Sequence, residues 1–352
     1  MKSYQYPLPS YWEKFLTNKI RKIQRLQEEA GESCACVAML TDFHWRENAK
    51  NSVALLERIL KECDIPYFFN AGDVVSGAGT CTAEFLREEI RGCKRLFLPL
   101  EEKCLYAEGN HDRAYCTFEP PAYYVENLPK TEFDKLYFSS LNKYPNRQFG
   151  AGGYYYADDV TNKVRYIVLN GQDVPNDEID ERGYAKYNAM LCFGFLQKQI
   201  EWFANVALVM PSPNWSVIVC SHASPNGVKV EERSYNYSLM TGVLKAFQGG
   251  TTFKSETVQE NPLFNARISV DFTGKGGNVI AWLGGHTHKD AIAVENGIVC
   301  VDTTTDSAFV SLYPEKAGTT AEQAFDVFVI NRNKRKGKII RIGVGEDREF
   351  VY

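Results

Sequence analysis

All five histidines of this 352-residue chain sit in short polar motifs, and none lies in an apolar stripe. They are His44 in Thr41-Asp42-Phe43-His44, His111 in Gly109-Asn110-His111-Asp112, His222 in Ser221-His222, and His286 and His288 in Gly285-His286-Thr287-His288. A further motif, Gly72-Asp73, falls between the first two. Imidazole is the commonest side-chain metal ligand, carboxylates bind and add charge, and an asparagine carbonyl binds without adding any. An Asp-x-His or His-x-His pair on an extended segment sends both side chains to one side, where they can chelate one ion. Gly72 lets the chain turn tightly beside an ion. Singly, each motif has an ordinary explanation as a chance surface pair, a turn, or a satisfied near-core histidine. In order, each just beyond an apolar run, they point to one metal centre.

The apolar runs that carry the motifs alternate with helical patterns. Cys34 to Leu40 reads as a strand ending at the Asp42 motif, Val53 to Leu60 as a helix, and Ile65 to Phe69 as a strand ending at Asp73. Residues 82 to 92 read as helix, and Cys104 to Ala107 as a strand ending at Gly109-Asn110-His111-Asp112. This order predicts a parallel βαβαβ start, and ligand sites in such sheets gather at the carboxyl ends of the strands. Ahead of it, Ser10-Tyr11-Trp12-Glu13 has the form of a capping box, opening an amphipathic helix that Gly31 stops. That helix is an extension over 1–32, and 33–352 reads as one main domain.

Residues 113 to 150 read as an inserted loop with a short helix, and its aromatics Tyr115, Phe118, Tyr123 and Tyr124 could wall a pocket or pack together. Tyr154 to Tyr156 and Val164 to Leu169 predict a hairpin, and Leu196 to Val206 a helix. Val217 to Cys220 reads as a strand ending at His222, and Val279 to Leu283 as one ending at His286. Between them, 223 to 277 is a long polar excursion with a helical piece at Leu239 to Phe247. Long excursions after site motifs often form lids, so 113–150 and 223–277 are read as lid or specificity insertions. Ala291 to Val294, Ile298 to Val301, Phe325 to Ile330 and Lys338 to Val344 complete a β-rich second half.

Composition narrows the function classes. A net charge of -4 leaves no electrostatic footprint for nonspecific nucleic-acid binding, which disfavours a nuclease. No run is long and apolar enough for a membrane span, and Met1 to Pro7 lacks the apolar core of a signal peptide. A cytoplasmic location, with the 10 cysteines reduced, is the resulting expectation. Gly274-Lys275-Gly276-Gly277 lacks phosphate-loop spacing, and the basic run Lys334-Arg335-Lys336 reads as a solvated turn.

The ordered motif set resembles the calcineurin-like metallophosphoesterase family from about Cys34 to Asp290. That resemblance implies a four-layer α/β/β/α sandwich with a two-metal centre at one edge of the central sheets. It also implies that Asp42, His44 and His288 bind a first ion and Asn110, His222 and His286 a second, with Asp73 bridging. His111 would meet the substrate, as candidate general acid, with Asp112 beside it. The chemistry implied is hydrolysis of a phosphate monoester or diester in a small or medium-sized molecule by a metal-bridging hydroxide. Two divalent ions bring about +4, two carboxylates remove about 2 and a hydroxide about 1, so net positive charge faces the phosphate. Ligands of N and O without thiolate favour Mn, Fe or Zn over Mg or Ca. Serine/threonine phosphatases of the family continue as Gly-Asp-x-x-Asp-Arg-Gly, whereas here the chain reads Gly72-Asp73-Val74-Val75-Ser76-Gly77, so the resemblance stops short of that subgroup. The alternatives are a nuclease of the same fold and, in a different class, a non-catalytic metal-binding scaffold.

Overall fold

Two apolar faces on one strand decide the layering. The computed structural model describes residues 4–44, 48–77, 82–113, 128–176, 178–230, 232–306 and 314–352. In the strand Ser216–Cys220, Ile218 and Cys220 join one hydrophobic core while Val217 and Val219 join another. A strand apolar on both faces must be covered on both.

In chain order the first strands are β1 (Cys34–Leu40), β2 (Tyr67–Asn70), β3 (Cys104–Tyr106), β4 (Arg147–Phe149), β5 (Tyr155–Asp159) and β6 (Val164–Val168). There follow β7 (Cys192–Gly194), β8 (Ser216–Cys220), β9 (Arg233–Tyr235), β10 (Thr252–Thr257), β11 (Ala266–Asp271) and β12 (Asn278–Gly284). The last are β13 (Ala291–Glu295), β14 (Ile298–Asp302), β15 (Ala324–Asn331), β16 (Lys336–Gly343) and β17 (Arg348–Val351). The helices are α1 (Ser10–Ala30), α2 (Ala49–Glu62), α3 (Ala83–Phe97), α4 (Lys130–Tyr137), α5 (Gln197–Trp202) and α6 (Tyr237–Gly249).

One large sheet runs β17-β16-β15-β1-β2-β3 and the other β13-β14-β12-β8-β6-β5-β4. Strands β1, β2 and β3 are parallel, as the βαβαβ pattern predicts. The sheets meet face to face: Tyr166 of β6 packs on Tyr67 and Phe69, and its hydroxyl donates to the Cys36 carbonyl at 3.1 Å. Trp12 and Leu16 of α1, Leu55 of α2 and Ile90 of α3 share the core of the first sheet. On the far side, Ile200 of α5 and Met240, Val243, Leu244 and Phe247 of α6 cover Val217, Val219 and Trp282. The architecture is the four-layer α/β/β/α sandwich.

Local outcomes differ from the sequence pattern at several points. Helix α1 begins at Ser10 itself, with Pro9 as its cap and no side-chain capping bond, so the predicted box does not form. The proline that closes the preceding extended segment shifts the start by one residue. The helix predicted to Val206 is only α5, continued by a π turn over Phe203–Ala207. Besides α6 over the predicted helical piece, the 223–277 excursion holds a β10–β11 hairpin whose alternating Ala266, Ile268 and Val270 face the second core, a period-two signal within a mostly polar stretch. The 114–127 stretch, including Tyr115, Phe118, Tyr123 and Tyr124, lies outside the described residues.

Trp282 is fully buried, and its indole N–H donates to Ser221 Oγ at 2.8 Å, joining β12 to the end of β8. Trp282→Ala is expected to lower stability by about 3–5 kcal/mol, read as an earlier urea midpoint with an unchanged slope.

Candidate functional site

The five motifs occupy the carboxyl ends of β1, β2 and β3 in one sheet and of β8 and β12 in the other. Backbone bonds lash them together: Asp42 N donates to the Gly72 carbonyl and His44 N to the Asp73 carbonyl, both at 3.0 Å, and Gly285 N donates to the His222 carbonyl at 2.7 Å. Asp42, His44 and His288 place ligand atoms within 4.8 Å of one another, as do Asp73, His222 and His286, and also His44, Asp73 and His111. Asn110 Oδ1 lies 2.9 Å from His222 Nε2, beside the Asp73 group. All seven candidate ligands therefore converge.

The extended geometry expected for the Asp-x-His and His-x-His pairs is not what brings them there. Asp42, His44, Asp73, His286 and His288 all have positive φ, between 45° and 68°. Left-handed backbone strains a residue with a Cβ, though Asp and His tolerate it better than most, and such strain gathers at functional sites. Its consequence is visible at His286 and His288: the two neighbours split, one joining Asp73 and the other Asp42. Threonine hydroxyls hold the strained turns, Thr304 Oγ1 donating to the His288 carbonyl at 2.8 Å and Thr305 Oγ1 to the Asp42 carbonyl at 2.5 Å. Close approach demands glycine at two points. A Cβ on Gly109 would lie 2.2 Å from Asp73 N, and one on Gly72 2.6 Å from Gly109 N.

The tautomers follow from the carbonyls. His222 Nδ1 faces the Ala71 carbonyl at 2.8 Å, His111 Nδ1 that of Ser76 at 3.0 Å, and His44 Nδ1 that of Val75 at 3.3 Å. A carbonyl only accepts, so each Nδ1 carries a proton and each Nε2 is turned to the centre, a lone pair in the neutral ring and an N–H donor in the protonated one. His44 and His288 bring their Nε2 atoms to 3.3 Å of each other. Asp42 Oδ1 is buried without a well-formed hydrogen bond, 3.2 Å from His288 Nε2. Two imidazole Nε2 atoms this close and an orphaned carboxylate oxygen beside them are what a divalent cation would satisfy. The residues present fit such ions.

Charge tells the same story. Burial would raise the pKa of Asp42 and Asp73, but the surrounding imidazoles overcome it and hold both carboxyls well below the usual range. Burial would lower His222, yet the charges of Asp73 and Asp42 push it up to about 10. Burial takes His44 down to about 4, leaving it neutral and ready to bind.

Asp112 departs from its expected place beside the substrate. It has no exposed surface, and its carboxylate accepts from Val74 N at 2.7 Å, Gly109 N at 2.8 Å, Asp73 N at 3.1 Å and Val75 N at 3.3 Å. A carboxylate so occupied ties the Asp73 turn to the Asn110 turn and has no face left for a reacting group. His111 does keep an open edge, its side chain 13% exposed, with Nε2 3.8 Å from Asp73 Oδ2 and its backbone N donating to Asp73 Oδ1 at 2.8 Å. Two features escaped the sequence reading. Glu232, its side chain 3% exposed, sets Oε1 2.9 Å from His286 Nε2, and nothing distinguishes it within a polar excursion. The threonine run Thr303-Thr304-Thr305 was legible as a polar motif just after the strand that ends at Asp302. A groove of about 1130 Å³ between α5 and the β10–β11 hairpin is lined by Trp202, Lys254 and Arg267 and by none of the candidate residues. Ligand convergence, not cavity size, locates this site.

Groups of N and O ligands converging at the strand ends of a two-sheet sandwich define a metallohydrolase. A sequence profile described as calcineurin-like phosphoesterase matches residues 37–290, and the chain belongs to that family. It is a metal-dependent phosphoesterase, a hydrolase acting on ester bonds. No curated protein matches the chain at significant similarity. Among solved structures it is similar to a Streptococcus pneumoniae protein described as a predicted phosphoesterase, with 10% identity, 91% of this chain and 98% of that one covered, and a TM-score of 0.30. Vacuolar protein sorting 29 of Cryptosporidium parvum gives 13% identity, 91% and 99% coverage, and a TM-score of 0.29. Phosphopantetheinyl hydrolase of Mycobacterium tuberculosis gives 11% identity, 81% and 94% coverage, and a TM-score of 0.33. Among the described residues, no helix is long and apolar enough to cross a membrane.

Two outcomes follow. Asp112→Asn replaces an acceptor facing four N–H groups with one that partly donates, so it should cost about 1–3 kcal/mol in urea unfolding and weaken metal binding. In metal-free protein His222 holds a proton below about 10. The stability from its ion pairing is complete below the ordinary histidine range and lost as pH rises through 10. Metal must displace that proton at neutral pH, so affinity should tighten from pH 6 to 9, with proton release seen calorimetrically in buffers of different ionisation enthalpy.

Proposed function

We propose that this phosphoesterase hydrolyses a phosphate monoester or diester of small or medium size at a centre for two divalent ions. Asp42, His44 and His288 would hold the first, Asn110, His222 and His286 the second, with Asp73 shared. The observation that carries this reading is the place of Asp73, which belongs to a ligand group with His222 and His286 and to another with His44 and His111. His44 is also a proposed ligand of the first ion, and a carboxylate that reaches a ligand of each ion is what a bridge requires. When bound, such ions would neutralise phosphate charge and supply the water-derived nucleophile at neutral pH. Mn, Fe or Zn suits the N/O ligand set.

The chain's own residues supply the rest. His288 has a side chain 42% exposed while Asp42, Asp73, Asn110, His222 and His286 are buried, so the first-ion side is where a phosphate enters. His111 stands on that side, its ring held against the Ser76 carbonyl, with Nε2 free to give a proton to the leaving oxygen. Asp112 acts through the backbone, as a positioning residue for Asp73 and Asn110.

Protein loaded with Mn would be assayed on p-nitrophenyl phosphate, phenyl phosphate and bis-p-nitrophenyl phosphate. His111→Ala should keep its metal and lose about 10²–10⁴ in kcat on phenyl phosphate. The loss should be smaller on p-nitrophenyl phosphate, whose leaving group needs little protonation. Equal losses on both would remove the acid role. Full metal loading without turnover of any phosphoester or nucleic acid would overturn the hydrolytic reading. The monoester to diester ratio assigns the substrate class.

A further inference from the structure

One imidazole of the centre is turned the other way. His44, His111 and His222 each give Nδ1 to a backbone carbonyl and present Nε2 to the site. His286 instead has Nε2 2.9 Å from Glu232 Oε1, so its proton is on Nε2 and its lone pair on Nδ1. Glu232 is itself held: Oε2 accepts from Lys229 N at 2.7 Å, and the side chain is 3% exposed.

The small parallel sheet of β7 and β9 builds this contact. Glu232 directly precedes β9, whose Arg233 N donates to the Leu191 carbonyl at 2.7 Å. Phe193, in β7 and paired with Ser234, lays its ring against that of His286 with centroids 4.7 Å apart. His286 N donates to Asp42 Oδ2 at 2.9 Å. The ring is thus fixed at its edge by Glu232, by the tilted ring of Phe193 and at its backbone by Asp42.

We propose that Glu232 is a positioning residue of the metal centre: it fixes the tautomer and orientation of His286 so that Nδ1 is the ligand atom, and so couples the second ion to the 223–277 excursion. This rests on the two-ion reading above. A carboxylate behind a ligating imidazole orients the ring and raises its basicity, and losing such a partner weakens metal binding by about 10–100-fold.

The test titrates Mn into metal-free full-length protein and into Glu232→Ala, Glu232→Gln and Glu232→Asp, with affinity by calorimetry and occupancy by Mn electron paramagnetic resonance. In the parent, a two-ion stoichiometry with a spin-coupled signal is expected. Glu232→Ala should weaken only the second ion, about 10–100-fold, giving a mononuclear signal at limiting Mn, with kcat restored by excess Mn. Glu232→Gln keeps an acceptor at the same reach and should recover most of the affinity. Glu232→Asp keeps the charge but loses the reach, and should behave as Ala does. Unchanged second-ion affinity in Glu232→Ala overturns the proposal. So does a Gln variant as weak as Ala with an Asp variant near the parent, which would make charge or direct ligation the cause. A parent that binds a single ion would instead sink the two-ion reading, so the two failures are distinct.

Discussion

Asp42 and Asp73 are carboxylates with almost no access to water, set among the same imidazoles, and buried like charges persist only with positive charge beside them. Much of the surrounding structure answers that demand. Without metal, a proton on His222 meets part of it. As the proposed ligands, His44 and Asn110 would add coordination without further negative charge. An apolar replacement of either carboxylate would relieve the burial and abolish the reason for five strained residues in three turns.

Those turns are held from outside the centre. Asp112 spends its charge on the backbone N–H groups of the Asp73 and Asn110 turns, and Thr304 and Thr305 anchor the turns of His288 and Asp42. Behind the threonines, Thr303 Oγ1 donates to Asp326 Oδ2, and Arg341 bridges Asp326 and Asp290. Strands β15 and β16 therefore brace a site to which they contribute no ligand. Each large sheet supplies part of the candidate ligand set, the first Asp42, His44, Asp73 and Asn110, the second His222, His286 and His288. The sandwich must close before the centre exists.

Much of the site was legible in the chain because strands of this kind end where ligands begin. Continuous apolar runs, buried on both faces, set β1, β2, β3, β8 and β12 to within about two residues, and the polar motif after each marks the strand end. The motifs also carried the family resemblance that the profile match over 37–290 bears out. Very short elements were silent: β7 and β9 are three residues each. Their stability comes from partners distant in sequence, which periodicity does not report.

What the sequence by itself determined was the chemistry available: five imidazoles, two carboxylates and an amide, each at the end of a strand in a fixed order. Tertiary structure alone decided how they are used. It placed Asp73 in two ligand groups, parted His286 from His288 through left-handed backbone, and withdrew Asp112 into a hydrogen-bonding role. It also brought Glu232 behind His286 from 54 residues away. The physical reason is that a residue's type fixes what its atoms can bind. Which atoms face one another is set by backbone angles and sheet packing, and these depend on contacts across the whole chain.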